Sequence, residues 1–98
     1  MTIKKELKGD SLTYVIEGHI DTSTAPEFDN ELKKDLGNVN HFDLDLEHVD
    51  YISSAGLRVI LMASKTMKNK GGMNIVNTPK NIKELFDLTG FSEVLNIE

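Results

Sequence analysis

The chain has 98 residues, of which 39% are hydrophobic and 28% charged, with a net charge of −5 and no cysteine. That length accommodates one small domain over residues 1–98, and the composition is that of an ordinary globular protein. The acidic balance argues against a nucleic-acid module, whose affinity rests on neutralising phosphates, and the missing cysteines exclude disulfides and thiolate metal sites.

Met1 to Glu6 lack the apolar run of a signal peptide, and no apolar stretch reaches transmembrane length, so the chain reads as cytoplasmic. Weak alternation over Thr2 to Leu7 predicts an edge strand. The turn residues Lys8-Gly9-Asp10-Ser11 then lead into a second strand, Leu12 to Ile20, as a hairpin. Gly18-His19-Ile20-Asp21 closes that strand. Thr24 and Glu27 have capping-box spacing, Pro26 suits a first turn, and Ala25, Phe28, Leu32 and Leu36 share one helical face. Gly37 is placed to end this helix in a left-handed conformation.

Phe42, Leu44 and Leu46 alternate with Asp43 and Asp45, so His41 to Glu47 reads as a strand with one buried and one wet face. A strand covered on both sides would not carry two aspartates, so the helices belong on one face of the sheet. Asp43 and Asp45 read as the solvated face of this strand more readily than as a metal pair. A second helix runs from about Ser54 to Asn69, with Leu57, Ile60, Leu61 and Ser64 along a stripe flanked by Val59, Ala63 and Met67. Lys65, Lys68 and Lys70 suit the negative end of its dipole, and Gly71-Gly72 terminate it. Met73 to Val76 is a short strand and Asn77-Thr78-Pro79 a turn. A third helix follows, lined by Ile82, Leu85, Phe86 and Thr89 and stopped by Gly90. Val94 to Ile97 reads as a final strand. The fold class is α/β, in the order β-β-α-β-α-β-α-β, with a mixed sheet and helices mainly on one face.

Ser53 and Ser54 fall where the third strand hands over to the second helix. A helix start leaves backbone N–H groups unpaired, so a serine there either caps the helix or presents a hydroxyl for phosphorylation. From the physics of these residues alone, Ser54 as a plain N-cap is the better-supported reading. A phosphate would bring about 1.5 to 2 negative charges, and Asp21 and Asp50 lie in the loops that should meet there. Catalysis has weaker support. Tyr51-Ile52-Ser53-Ser54-Ala55-Gly56 is not a nucleophile elbow, and only His19 of the three histidines falls in a neighbouring loop; His41 and His48 read as strand-end residues. No glycine-rich phosphate loop occurs, since Gly71-Gly72 follow a helix and do not precede one.

Four stretches carry a family resemblance: Gly18-His19-Ile20-Asp21, Phe42-Asp43-Leu44-Asp45-Leu46, Ile52-Ser53-Ser54-Ala55-Gly56-Leu57 and Leu88-Thr89-Gly90-Phe91. Together they resemble the STAS family, the domain of anti-sigma factor antagonists and of sulphate transporter tails. The resemblance implies a binding protein without catalytic residues, cofactor or metal. It would engage an anti-sigma serine kinase of the GHKL type and so free a sigma factor. Phosphorylation would end that binding, and a metal-dependent serine phosphatase would restore it. By the family pattern the phosphoacceptor falls on Ser54, with Ser53 as second choice, and the partner-binding residues on His19, Asp21, Ser53, Ala55, Gly56 and Arg58. Two positions depart from the pattern: Ser53 stands where the family usually has aspartate, and His19 where it usually has an acid. The alternative within the same resemblance is an unphosphorylated STAS scaffold or a subunit of a signalling or membrane-transport assembly.

Overall fold

The structure, a computed structural model, describes residues 1–98. Its elements are β1 (Thr2–Lys8), β2 (Ser11–Ile20), α1 (Ala25–Asp35), β3 (His41–Ile52), α2 (Ser54–Lys68), β4 (Met73–Val76) and α3 (Lys80–Thr89), with short 3₁₀ turns at Leu36–Asn38 and Phe91–Glu93. The sheet order is β1-β2-β3-β4. β1 runs antiparallel to β2, and β2, β3 and β4 are mutually parallel. Both crossovers step the same way across the sheet, and right-handed connections then place α1 and α2 on the same face. Burial agrees with this placement. Leu12, Tyr14 and Ile16 of β2 and Phe42, Leu44 and Leu46 of β3 are buried, while Ser11, Thr13, Val15, Asp43 and Asp45 on the other face are only partly covered.

Phe28 and Leu32 of α1, Leu57, Ile60, Ala63 and Met67 of α2, and Ile82 and Phe86 of α3 join these strands in one core of 22 buried residues. Tyr14 and Phe42 meet edge to face at 5.1 Å, the arrangement ring quadrupoles favour. Lys5 straps β1 onto α1, reaching Glu31 and Asp35 at 2.8 Å each. Asp35 also accepts the Tyr14 hydroxyl at 2.5 Å. Burial and that carboxylate push the Tyr14 phenol far above its usual range. The lysines beside Glu31, Lys5 first and then Lys34, hold its carboxyl down to about 2.

Several expectations from the sequence are corrected. β3 extends five residues past Glu47, through Ile52. Its register against β2 slips between Val15 and Glu17 and again between Gly18 and His19, each time with an extra residue in β3. These bulges re-phase the strand, so that Val49 and Ile52 turn inward although the simple alternation ends at Leu46. His48 consequently sits within a strand and not at its end. The buried stripe of α2 runs through Gly56, Leu57, Ile60, Ala63 and Met67, leaving Leu61 and Ser64 at its margin.

Gly37 is not left-handed. It lies in the 3₁₀ turn that tightens the end of α1. Gly90, by contrast, does end α3 with φ at 79°. The last segment forms a single parallel bridge, Ile75 to Ile97, in place of a full strand. Of the three lysines at the end of α2, Lys70 is structural: its ammonium donates to the carbonyls of Leu36 at 2.6 Å and Val39 at 3.1 Å.

Candidate functional site

The site lies at the carboxyl end of the parallel strands, where Ile20 of β2 and Ile52 of β3 are register partners. The backbone N–H of Ser53 donates to the carbonyl of Ile20 at 2.8 Å, so the two strands stay paired up to the residue before α2. Ser53 is in extended conformation, and its hydroxyl oxygen accepts the N–H of Gly56 at 3.2 Å. It is therefore the N-cap of α2, and only 8% of its surface is exposed. Ser54 is the first helical residue and is exposed. Adjacent hydroxyls thus face opposite environments, one inward onto the backbone and the other outward.

Gly56 explains how closely the helix sits. A Cβ built there would lie 2.7 Å from Cγ2 of Ile20, 2.9 Å from the Ile20 carbonyl oxygen and 3.0 Å from Cγ2 of Ile52. Only glycine lets α2 begin this near the strand ends. Ser53 and Gly56 were both expected in the contact surface; their burial makes them its support.

The loop after β2 is fixed by its own polar groups. Oδ1 of Asp21 accepts the N–H groups of Ser23 at 2.9 Å and Thr24 at 3.0 Å, and the Ser23 hydroxyl at 2.7 Å. The Ser23 hydroxyl and then the Thr24 N–H hold the Asp21 carboxyl below its usual range. The capping box expected at Thr24 and Glu27 is not made. The Thr24 hydroxyl instead accepts the N–H of Asp21 at 2.8 Å and donates to the carbonyl of His19 at 2.9 Å. Asp21 and Thr24 thus close the turn between β2 and α1 around each other.

His19 approaches Asp50 across the strand ends, Nδ1 to Oδ1 at 2.5 Å, with both side chains exposed. Asn81, near the start of α3, donates to the Asp50 carbonyl at 3.3 Å. The pairing of His19 with Asp50 was not anticipated from sequence, although the two loops were expected to meet. Tyr51, the register partner of His19, is also exposed. Ala25, Pro26 and Asp29 from α1 and Ala55, Arg58 and Met62 from α2 line an open groove beside Ser54. Ala55 and Arg58 therefore line one surface, together with Met62 and Pro26, which look ordinary in a helical pattern.

Elsewhere, Asp43 and Asp45 are engaged separately. Asp43 is bonded to His41 at 2.8 Å, while Asp45 accepts the Asn77 amide and the Glu47 N–H at 3.0 Å each. No three acidic or histidine side chains converge in a metal-binding group.

A strand-to-helix junction with one capping and one outward serine thus sits over a mixed sheet with helices on one face. The STAS domain family model matches residues 2–98. This chain belongs to the STAS family. Among its relatives, the anti-sigma-B factor antagonist of Bacillus subtilis is 30% identical over 83 residues, covering 84% of this chain and 76% of that protein. The crystal structure of an anti-sigma factor antagonist from Mycobacterium paratuberculosis superposes with a TM-score of 0.89 at 20% identity, covering 98% of this STAS chain and 83% of the other. The Bacillus cell fate determinant SpoIIAA, solved in its phosphorylated form, gives a TM-score of 0.77 at 13% identity, covering 99% of this chain and 91% of that one. At these identities the two structures speak for the STAS fold alone. No helix is long and apolar enough to cross a membrane.

Proposed function

We propose that this STAS chain, acting as one domain over residues 1–98 in the cytoplasm, is an anti-sigma factor antagonist switched by phosphorylation of Ser54. Unmodified, it binds an anti-sigma serine kinase of the GHKL type and frees the sigma factor. Phosphate on Ser54 ends that binding, and a metal-dependent serine phosphatase reverses the step. The observation that carries the reading is the division of labour between adjacent serines. Ser53 is buried as a helix cap, which leaves Ser54 as the hydroxyl offered to a kinase at the helix start.

The physics favours a local switch. Ser54 sits where unpaired N–H groups and the helix dipole tolerate an anion, worth roughly 0.3–1 kcal/mol, so the modified chain need not refold. The added 1.5 to 2 negative charges, about, would instead meet the partner across a surface made by His19, Asp21, Ala55 and Arg58. The name of the Bacillus subtilis relative and the phosphorylated form of SpoIIAA support the same direction. Incubation with each GHKL-type anti-sigma kinase encoded in the same genome, with ATP, followed by mass spectrometry, tests the proposal. Phosphate localised to Ser54 is the expected result. No modification by any of these kinases, or phosphate confined to Ser53, contradicts it.

A further inference from the structure

Arg58 is the chain's one arginine, and it is exposed on α2 four residues after Ser54. It enters none of the chain's ion pairs. The carboxylates around the site are differently placed. Asp50 is taken by His19, Asp21 by Ser23 and Thr24, and Asp29, across the groove, by Lys33 at 2.8 Å. Arg58 thus lacks a partner within the chain, and it is the cation among the residues that line the groove beside Ser54.

Residues four apart on a helix share a face, with Cβ atoms about 5–6 Å apart, and the pair is strongest with the anion on the N-terminal side. Ser54 and Arg58 have that order, and the first turn of α2 holds no acidic residue to compete for the guanidinium. A guanidinium fork can donate to two oxygens of one phosphate, which an ammonium cannot do with the same geometry.

We propose that Arg58 is the intramolecular receptor of a phosphate on Ser54, closing over it across one turn of α2. The inference rests on the phosphorylation reading above and deepens it. Modification then changes the surface twice, by adding negative charge at Ser54 and by withdrawing the one guanidinium from the groove beside it.

The test installs phosphoserine at position 54 during synthesis, so that no kinase is required. Because Arg58 is the one arginine, its Nε–H gives a single assignable NMR signal. We expect that signal to move when Ser54 carries phosphate. We also expect the 31P titration midpoint to lie lower in the otherwise native protein than with Arg58→Ala, by roughly 0.2–0.4 pH unit. Arg58→Lys should fall between the two. An Nε–H signal that stays in place on phosphorylation, or a midpoint identical with and without Arg58, overturns the proposal. Either outcome bears on the receptor alone, since the choice of Ser54 by a kinase is decided separately by mass spectrometry.

Discussion

The two ends of the parallel strands use their polar groups in opposite ways. At the amino end, several backbone and side-chain groups are tied to distant parts of the chain. The N–H of Asn40 donates to Asp10 at 2.8 Å, that of Gly71 donates to Asn40 at 2.6 Å, and Lys70 holds the carbonyls of Leu36 and Val39. Both ring nitrogens of His41 face acceptors, Asp43 at 2.8 Å and the Gly71 carbonyl at 3.3 Å. Burial works against a charged ring there, but those two acceptors outweigh it and raise the His41 pKa. A Cβ on Gly71 would run into the carbonyl of Asn40. At the carboxyl end the backbone is just as tightly fixed, through Ser53, Ile20 and Gly56, yet Ser54, Arg58 and Tyr51 are left outward. One end closes the fold. The other holds a rigid frame with spare groups on it, which is what a switchable contact surface requires.

The two cations, one at each end, give the largest expected contrast in stability. Lys70→Met removes two hydrogen bonds to carbonyls that no other side chain reaches, and should cost about 1–2 kcal/mol in urea unfolding. Arg58→Ala should stay within about 0.5 kcal/mol, as for a surface residue without partners. Comparable losses would mean that the carboxyl end is as internally committed as the other.

The serines sharpen the same contrast at closer range. Ser53→Ala removes the N-cap and should cost about 1 kcal/mol, measured by thermal or urea unfolding. Ser54→Ala should change stability by less than about 0.5 kcal/mol. The reverse ranking would make Ser54 the structural hydroxyl.

Local pattern carried much of this molecule. Phe28 and Leu32, or Ile82 and Phe86, repeat at helical spacing because each faces a core, and Gly90 stops α3 through its left-handed backbone. What the pattern could not show is set by partners distant in sequence. Gly37 looks like a helix terminator, but the end of α1 is satisfied by Lys70 more than thirty residues later, so a 3₁₀ turn suffices. Thr24 and Glu27 have the spacing of a capping box, yet the Thr24 hydroxyl is already used by His19 and Asp21. The bulges in β3 depend on its pairing with β2, and hide Val49 and Ile52 from any test of alternation. At the site, resemblance pointed to the junction and named both serines. That Ser53 caps the helix while Ser54 faces outward follows from the direction of the Ser53 hydroxyl, which identical neighbours in a sequence cannot express. The pairing of His19 with Asp50 likewise needs the two strand ends side by side.

The central claim is that Ser54 is the outward switch on a frame held by Ser53. It is tested most directly by the affinity of the proposed anti-sigma kinase partner for three forms of the chain: unmodified, phosphorylated at Ser54, and carrying Ser54→Ala. Tight binding by the unmodified and alanine forms, with a loss of roughly 100-fold or more for the phosphorylated one, is the predicted result, a difference of about 2.7 kcal/mol. Equal affinity for the unmodified and phosphorylated forms would contradict it.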